Sequence, residues 1–231
     1  ESRTRVPNPR KAEYPIISAT LIGSDGKRQI LLLLREGVNI GDDIVNGSMQ
    51  FFDKEIDLIR AIFTIIHSYP FVITFNGDNF DLAYIYNRAI KLGIPKEEIP
   101  LDIHHNKIQI KDTIHIDLYR FFFNKSIKNY AFQGKYKSIT LDDIATALLG
   151  KGKLHMDEDI WLATEMPKWT YTQLAKYNCR DAEVTLEITT YNNALVMKLL
   201  VALMRISVMQ IEDLSRLPIS QNTQLIILNL V

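Results

Sequence analysis

Phe71 to Tyr84 reads FVITFNGDNFDLAY, and the interpretation of this stretch decides the fold. Phe71, Val72, Ile73 and Phe75 form a short apolar run of β-favouring residues. Asn76-Gly77-Asp78-Asn79 interrupts it, and a helical pattern follows with Asp81 one turn in. The stretch predicts a buried strand, a tight polar turn and a helix. Such a junction places polar groups at the carboxyl end of a strand, where open α/β sheets hold their ligands. Taken alone, it is equally the pattern of a capped strand-to-helix turn that carries no chemistry.

On the amino-terminal side, Tyr14 to Ile22 and Gln29 to Leu34 are expected as strands joined at Ser24-Asp25-Gly26, a hairpin signal. Arg35 to Gly47 is a polar loop and Met49 to Phe52 a short edge strand. Asp53 is expected to cap a helix in which Ile56, Ile59, Ile62, Phe63 and Ile66 recur at helical spacing, with Pro70 after its end. On the carboxyl side, the helix bearing Asp81 is expected to run to about Leu92 and stop at Gly93. Residues 94–112 read as a polar excursion, and Thr113 to Leu118 as a strand. Thr140 to Gly150 carries a capping threonine, Asp143 at the capping-acid position and a closing glycine. Thr170 with Gln173 repeats the capping box before a helix holding Tyr177 and Asp181, and helical spacing continues to about Ile211 with an interruption. A hairpin followed by alternating helices and strands predicts an α/β fold, a mixed sheet flanked by helices.

The 231 residues suit one domain with a sizeable core. Lys plus Arg equals Asp plus Glu at 27 each, so any affinity for nucleic acid must come from local patches rather than bulk charge. One cysteine, Cys179, excludes an internal disulfide framework and suits a reducing interior, where it reads as a small buried filler. No signal peptide is evident, and the apolar tract Ala194 to Met204 is broken by Lys198 and too short to span a bilayer. An intracellular protein with no membrane partner is the expectation.

The motif Asn76-Gly77-Asp78-Asn79-Phe80-Asp81, followed by Leu82 and Ala83-Tyr84, resembles the second exonuclease motif of the family B DNA polymerases, Asn-x-x-x-Phe-Asp. Tyr177-Asn178-Cys179-Arg180-Asp181 is similar to the third, Tyr-x-x-x-Asp, and Ala182 to Thr185 continue it. HIDLY at His115 to Tyr119 and TLDDIATALLG at Thr140 to Gly150 also resemble that family, in the same order. The likeness covers roughly Arg5 to Pro218 and is similar in particular to the replicative polymerases of crenarchaea. It implies a ribonuclease H-like 3′–5′ exonuclease fold for residues 13–212, with 1–12 an extended linker and 213–231 a tail leading towards a polymerase domain.

Hydrolysis of a phosphodiester needs a deprotonated nucleophile and stabilisation of charge on the phosphate oxygens, and two divalent cations provide both. Mg²⁺ and Mn²⁺ take hard oxygen ligands, so carboxylates are the expected donors. Asp81 and Asp181 are the candidates. Tyr177 precedes Asp181 by four residues, which on a helix puts both on one face. The resemblance implies that the Tyr177 hydroxyl orients the attacking water and that Asn76 contacts the terminal nucleotides of the primer. Phe80 is either a wedge against a base or a core anchor. Asp78 reads as the cap of the helix that carries Asp81. His115 and Asp117 alternate on one strand without making a metal site, His104-His105 reads as solvated loop, and Gly150 to Lys153 lacks P-loop spacing.

Arg120, Lys125, Lys128, Lys135 and Lys137 fall in a stretch without acids, interleaved with Phe121, Phe122, Phe123, Tyr130, Phe132 and Tyr136. Basic groups with aromatic platforms suit single-stranded DNA, and Lys125 and Lys128 are the candidate contacts. Phe121 to Phe123 are expected in the core. The family's first motif, Asp-x-Glu, is absent: neither Glu1 nor Glu13 stands in that pattern. The polymerase motifs Ser-Leu-Tyr-Pro-Ser and Tyr-x-Asp-Thr-Asp are absent too. The expectation is therefore a piece of a larger polymerase that lacks the first strand of its sheet and two of four metal-binding carboxylates. It should bind metals weakly and cleave poorly. Its partners would be the primer 3′ end, the remainder of the polymerase chain and a sliding clamp. The alternatives are a stand-alone exonuclease of the same fold and a catalytically silent structural or DNA-binding module.

Overall fold

The computed structural model describes residues 7–104, 107–152 and 169–215. The first half of the expected linker, His105, Lys153 and the tail beyond Ser215 lie outside the described residues. Strands β1 (Ser18–Ile22) and β2 (Arg28–Leu33) pair antiparallel, and β3 (Ser48–Phe52) joins β2 in parallel. Helix α1 (Glu55–His67) leads to β4 (Phe71–Thr74), and α2 (Asp81–Lys91) follows. A hairpin of β5 (Leu101–His104) and β6 (Lys107–Ile110) precedes β7 (Ile114–Asp117), which pairs parallel to β4. Helices α3 (Leu118–Phe123), α4 (Leu141–Leu149), α5 (Tyr171–Ser207) and α6 (Ile211–Leu214) complete the order.

Strand β2 reads as a continuous apolar run because both of its faces are covered. Side chains alternate across a strand. Leu31 and Leu33 therefore pack into one core with Leu58, Ile59 and Ile62 of α1, while Ile30 and Leu32 pack into another with Tyr171, Leu174 and Cys179 of α5. A third core gathers Ile116, Phe122 and Phe132 with α4 and the part of α5 from Val184 onward. The Tyr171 hydroxyl pins the long helix to the strand end, accepting from the Arg35 amide at 2.6 Å and donating to the Leu33 carbonyl at 3.1 Å.

The caps expected at Thr140 and Thr170 are present, the latter as a full capping box with Gln173, and Gly150 closes α4 in the left-handed region at φ 70°. The interruption of α5 falls at Tyr191 to Ala194, where Asn192 and Asn193 take φ of 47° and 56°. Asparagine tolerates that conformation because its short amide bonds locally.

Three expectations are corrected. Asp53 does not cap α1: the cap position is Lys54, without a side-chain bond, and Glu55 and Asp57 supply the negative charge that the helix start favours. Residues 94–112 are not a polar excursion, because β5 and β6 turn Leu101, Ile108 and Ile110 inward and the polar residues outward. The first strand begins at Ser18 rather than Tyr14, since side chains take up the preceding backbone: Tyr14 N–H donates to the Tyr84 hydroxyl (3.0 Å) and Ile16 N–H to Glu55 (2.7 Å). The described part of the presumed linker is also tied down. The carbonyls of Pro9 and Ala12 accept from Asn87 and Arg88 of α2.

Glu55 and Arg88 join α1 to α2 through two bonds of 2.8 and 2.6 Å, with side chains only 9% and 12% exposed. Removing one partner leaves a nearly buried charge uncompensated. Glu55→Ala is expected to cost about 3 kcal/mol in urea unfolding, and adding Arg88→Ala to cost less than the sum of the two single changes. A loss below about 1 kcal/mol for Glu55→Ala, the value of an exposed pair, would show the link to be idle.

Candidate active site

The turn after β4 is built around one carboxylate. Asp117, buried at the end of β7, accepts from the amides of Asn76 (2.8 Å), Asp78 (2.9 Å) and Tyr119 (3.0 Å). Asn76 takes φ of 70°, and its carbonyl accepts from the amides of Asn79 and Phe80, which closes the turn ahead of α2. Gly77 is required there, because a Cβ would lie 2.4 Å from the Thr74 hydroxyl and 2.7 Å from its Cβ. Asp81 follows as the first residue of α2, exposed, where a carboxylate is favoured by the helix dipole.

Asp78 is not the helix cap it resembles in sequence. It is buried and faces away from α2, accepting from the Ile108 amide at 2.8 Å and lying 3.6 Å from His115 Nδ1. His115, fully buried, approaches the Ile108 carbonyl with Nδ1 (3.0 Å) and the Thr74 hydroxyl with Nε2 (2.8 Å). A carbonyl only accepts, so Nδ1 carries the proton and, in the neutral ring, Nε2 accepts from Thr74. This network fastens the turn to β4, β6 and β7 together. Sequence reading set His115 and Asp117 aside because they make no metal site. Their work is to hold the turn.

The second wall comes from α5. Asn178 donates to the Ser18 hydroxyl at 2.6 Å, Arg28 of β2 pairs with Glu183, and Arg180 donates to the Gly152 carbonyl at 3.0 Å. These bonds fix the rotation of the helix about its axis, so Tyr177 and Asp181 look inward. Asp81, Tyr177 and Asp181 line one cleft of about 900 Å³, with Asn76 and Phe80 on its rim. Tyr177 and Asp181 are half-buried. Phe80 lies against Tyr84 at 6.3 Å, the position of an anchor that also faces the cleft. The long walls of the cleft are β1 and β4, and among the described residues each pairs with one neighbouring strand only.

Cys179 is buried in the core with Ile30 and Leu32, and burial pushes its thiol up. It is a filler, as its setting in the sequence implies. Lys125 is exposed, whereas Lys128 donates to the Lys137 carbonyl (2.9 Å) and lies over the Tyr136 ring (5.3 Å). Phe121 and Phe122 are in the core, but Phe123 is not, against expectation. His104 is exposed and lies 3.0 Å from Asp102.

A strand–turn–helix thus carries the first carboxylate and a long helix the second, with the cleft between them. The chain belongs to the exonuclease-domain family of the family B DNA polymerases: residues 1–137 match the profile described as DNA polymerase family B, exonuclease domain. Relatives named DNA polymerase 1 extend the likeness across both walls of the cleft. That of Sulfurisphaera ohwakuensis is 49% identical over 216 residues, covering 94% of this chain and 24% of the relative. That of Saccharolobus solfataricus is 49% identical over 219 residues (94% and 24%), and that of Aeropyrum pernix 37% over 219 (94% and 22%). The chain spans about a quarter of the length of these curated relatives.

Asp117→Ala removes the acceptor of three backbone N–H groups. The expected loss is about 3 kcal/mol at roughly 1 kcal/mol for each bond, read by chemical unfolding. Asp117→Asn keeps one accepting oxygen and should fall between. Wild-type stability in Asp117→Ala would show that the turn holds without it.

Proposed function

We propose that this chain is the 3′–5′ proofreading exonuclease region of a replicative family B DNA polymerase, with a ribonuclease H-like fold. Its substrate is the primer 3′ end, melted into single strand, and its products are nucleoside monophosphates. The observation that carries the reading is the meeting of Asp81 with Tyr177 and Asp181 in one cleft, although a hundred positions separate the two aspartates. In this reading Asn76 contacts the terminal nucleotides, Phe80 offers a ring at the rim, Tyr177 orients the attacking water through its hydroxyl, and Lys125 faces the phosphates. The setting is intracellular, on replicating DNA, with the remainder of the polymerase chain and a sliding clamp as partners. Among the described residues, no helix is long and apolar enough to cross a membrane.

Asp81 and Asp181 offer the hard oxygens that Mg²⁺ and Mn²⁺ take, and these two residues would hold the ion. When bound, divalent cations supply charge stabilisation at the phosphate and a deprotonated water. Among the described residues no group of three or more His, Cys, Asp or Glu is arranged to hold a metal ion; the pair would be half of a two-ion site. The shape of the cleft supports a source for the other half. Strands β1 and β4 flank it, and a strand laid between them would join the β1-β2-β3 sheet and the β4-β7 pair into one mixed sheet. Carrying Asp-x-Glu, that strand would also bring two carboxylates to Asp81 and Asp181. The same two-carboxylate set favours a second reading, a DNA-binding module without catalysis.

The test is degradation of a 5′-labelled single-stranded oligonucleotide with Mg²⁺ or Mn²⁺. It compares this chain, the chain extended to include an Asp-x-Glu strand, and the extended chain with Asp181→Ala. Stepwise shortening by the extended form, lost in Asp181→Ala and weak or absent in the present chain, is the expected result. No shortening by any folded form would favour the silent module.

A further inference from the structure

Tyr119 and Phe123 are four residues apart on α3, and their rings stack at 6.3 Å with 28° between planes. They differ in setting from their neighbours. Phe121 and Phe122 are buried and pack against Phe132 in the core, whereas Phe123 is 61% exposed. The inner end of the stack is the cleft itself: Tyr119 lines the same cleft as Asp81 and Asp181 and meets Phe75, the residue before Asn76, edge-on at 6.0 Å. A continuous aromatic surface therefore runs from the candidate active site to solvent.

The stretch of chain that follows Tyr119 carries charge of one sign. Five basic residues and no acids lie between Arg120 and Lys137. Lys128 and Lys135 are engaged with the rings of Tyr136 and Tyr191, while Arg120 and Lys125, on either side of Phe123 in the chain, are exposed. Aromatic faces flanked by cations bind single-stranded nucleic acid, because every base has a π-face and every nucleotide a phosphate. We propose that the Tyr119–Phe123 stack is the platform on which bases of the single-stranded primer rest as its 3′ end enters the cleft, with Arg120 and Lys125 beside the phosphates. The proposal rests on the exonuclease reading and specifies how that site holds its substrate.

The experiment is fluorescence anisotropy with a short labelled oligothymidylate and an abasic strand of equal length and charge. Phe123→Ala is expected to weaken the oligothymidylate about tenfold, the loss of one stacked base, and to leave the abasic strand within about twofold. Phe123→Trp should retain oligothymidylate binding, and Tyr119→Leu should repeat the base-dependent loss. Lys125→Glu should weaken both strands and flatten the dependence on salt, while Phe123→Ala keeps that dependence, since a ring releases no counterions. Equal loss on both strands, loss on neither, or a wild-type chain that does not distinguish them would overturn the platform. The exonuclease reading fails separately. Base-dependent binding without shortening by the extended chain would sink catalysis and keep the platform, whereas shortening with base-independent binding would do the reverse.

Discussion

The buried carboxylate of Asp117 is the constraint on which the site depends. Three amides converge on it, from Asn76, Asp78 and Tyr119. Two belong to the turn that enters α2 and the third to the start of α3, so one side chain sets the directions of two helices leaving two paired strands. An ionised acceptor strengthens such bonds, and low local polarity strengthens them further. The left-handed Asn76 and the Gly77 pressed against Thr74 are conformations that a loose turn would relax. With Asp117 in place they persist, and Asp81 is presented at the first position of its helix.

Much of the fold was legible in the sequence because it is local. The turn at Asn76 to Asn79, the caps at Thr140 and Thr170 and the break within α5 all follow from residues within a few positions of one another. The hairpin at Leu101 to Ile110 was not legible, because four-residue strands with exposed Asp102, His104 and Gln109 have the composition of a loop. Asp78 was misread for a related reason. In the chain it has the form of a helix cap, and only the fold reveals that the amide it accepts belongs to Ile108, 30 residues away. Nor does the run Phe121-Phe122-Phe123 announce which ring is excluded from the core. The break in helical direction after Phe123 decides that, since Asn124 is extended and accepts from the amide of Ser126. The pairing of Asp81 with Asp181 was legible through the family motifs alone; no periodicity connects them.

The long helix α5 completes what the turn begins. Its first turns lie on β1 and β2, where Tyr171, Asn178 and Glu183 attach it, and from Val184 onward it packs with α3 and α4. Val184 and Ile188 before the break and Val196 and Leu200 after it belong to the same core, so the chain crosses from one core to the other ahead of the reversal of backbone sign at Asn192 to Ala194. Asp181 lies on the first half, so its position is inherited from β1 and β2, while that of Asp81 is inherited from β4 and β7. The cleft between the two sets of strands is thus lined by two carboxylates that different strands position.

Four aspartates near this cleft show how environment divides one chemistry into two roles. Asp78 and Asp117 are buried, and backbone amides occupy their oxygens. A lone pair that accepts an N–H in the core is not available to a cation, and removing the carboxylate would leave those donors unsatisfied. Asp81 is exposed at a helix start, and Asp181 is half-buried in the opposite wall. Residue type alone does not separate these roles, because all four are aspartates and Asp78 is only three positions from Asp81. The separation comes from where each backbone segment ends. Asp117, at the close of β7, meets the amides of the turn that follows the neighbouring strand β4, and Asp78, within that turn, meets an amide of β6. Asp81, three positions on and the first residue of the helix that turn begins, is carried out to the cleft.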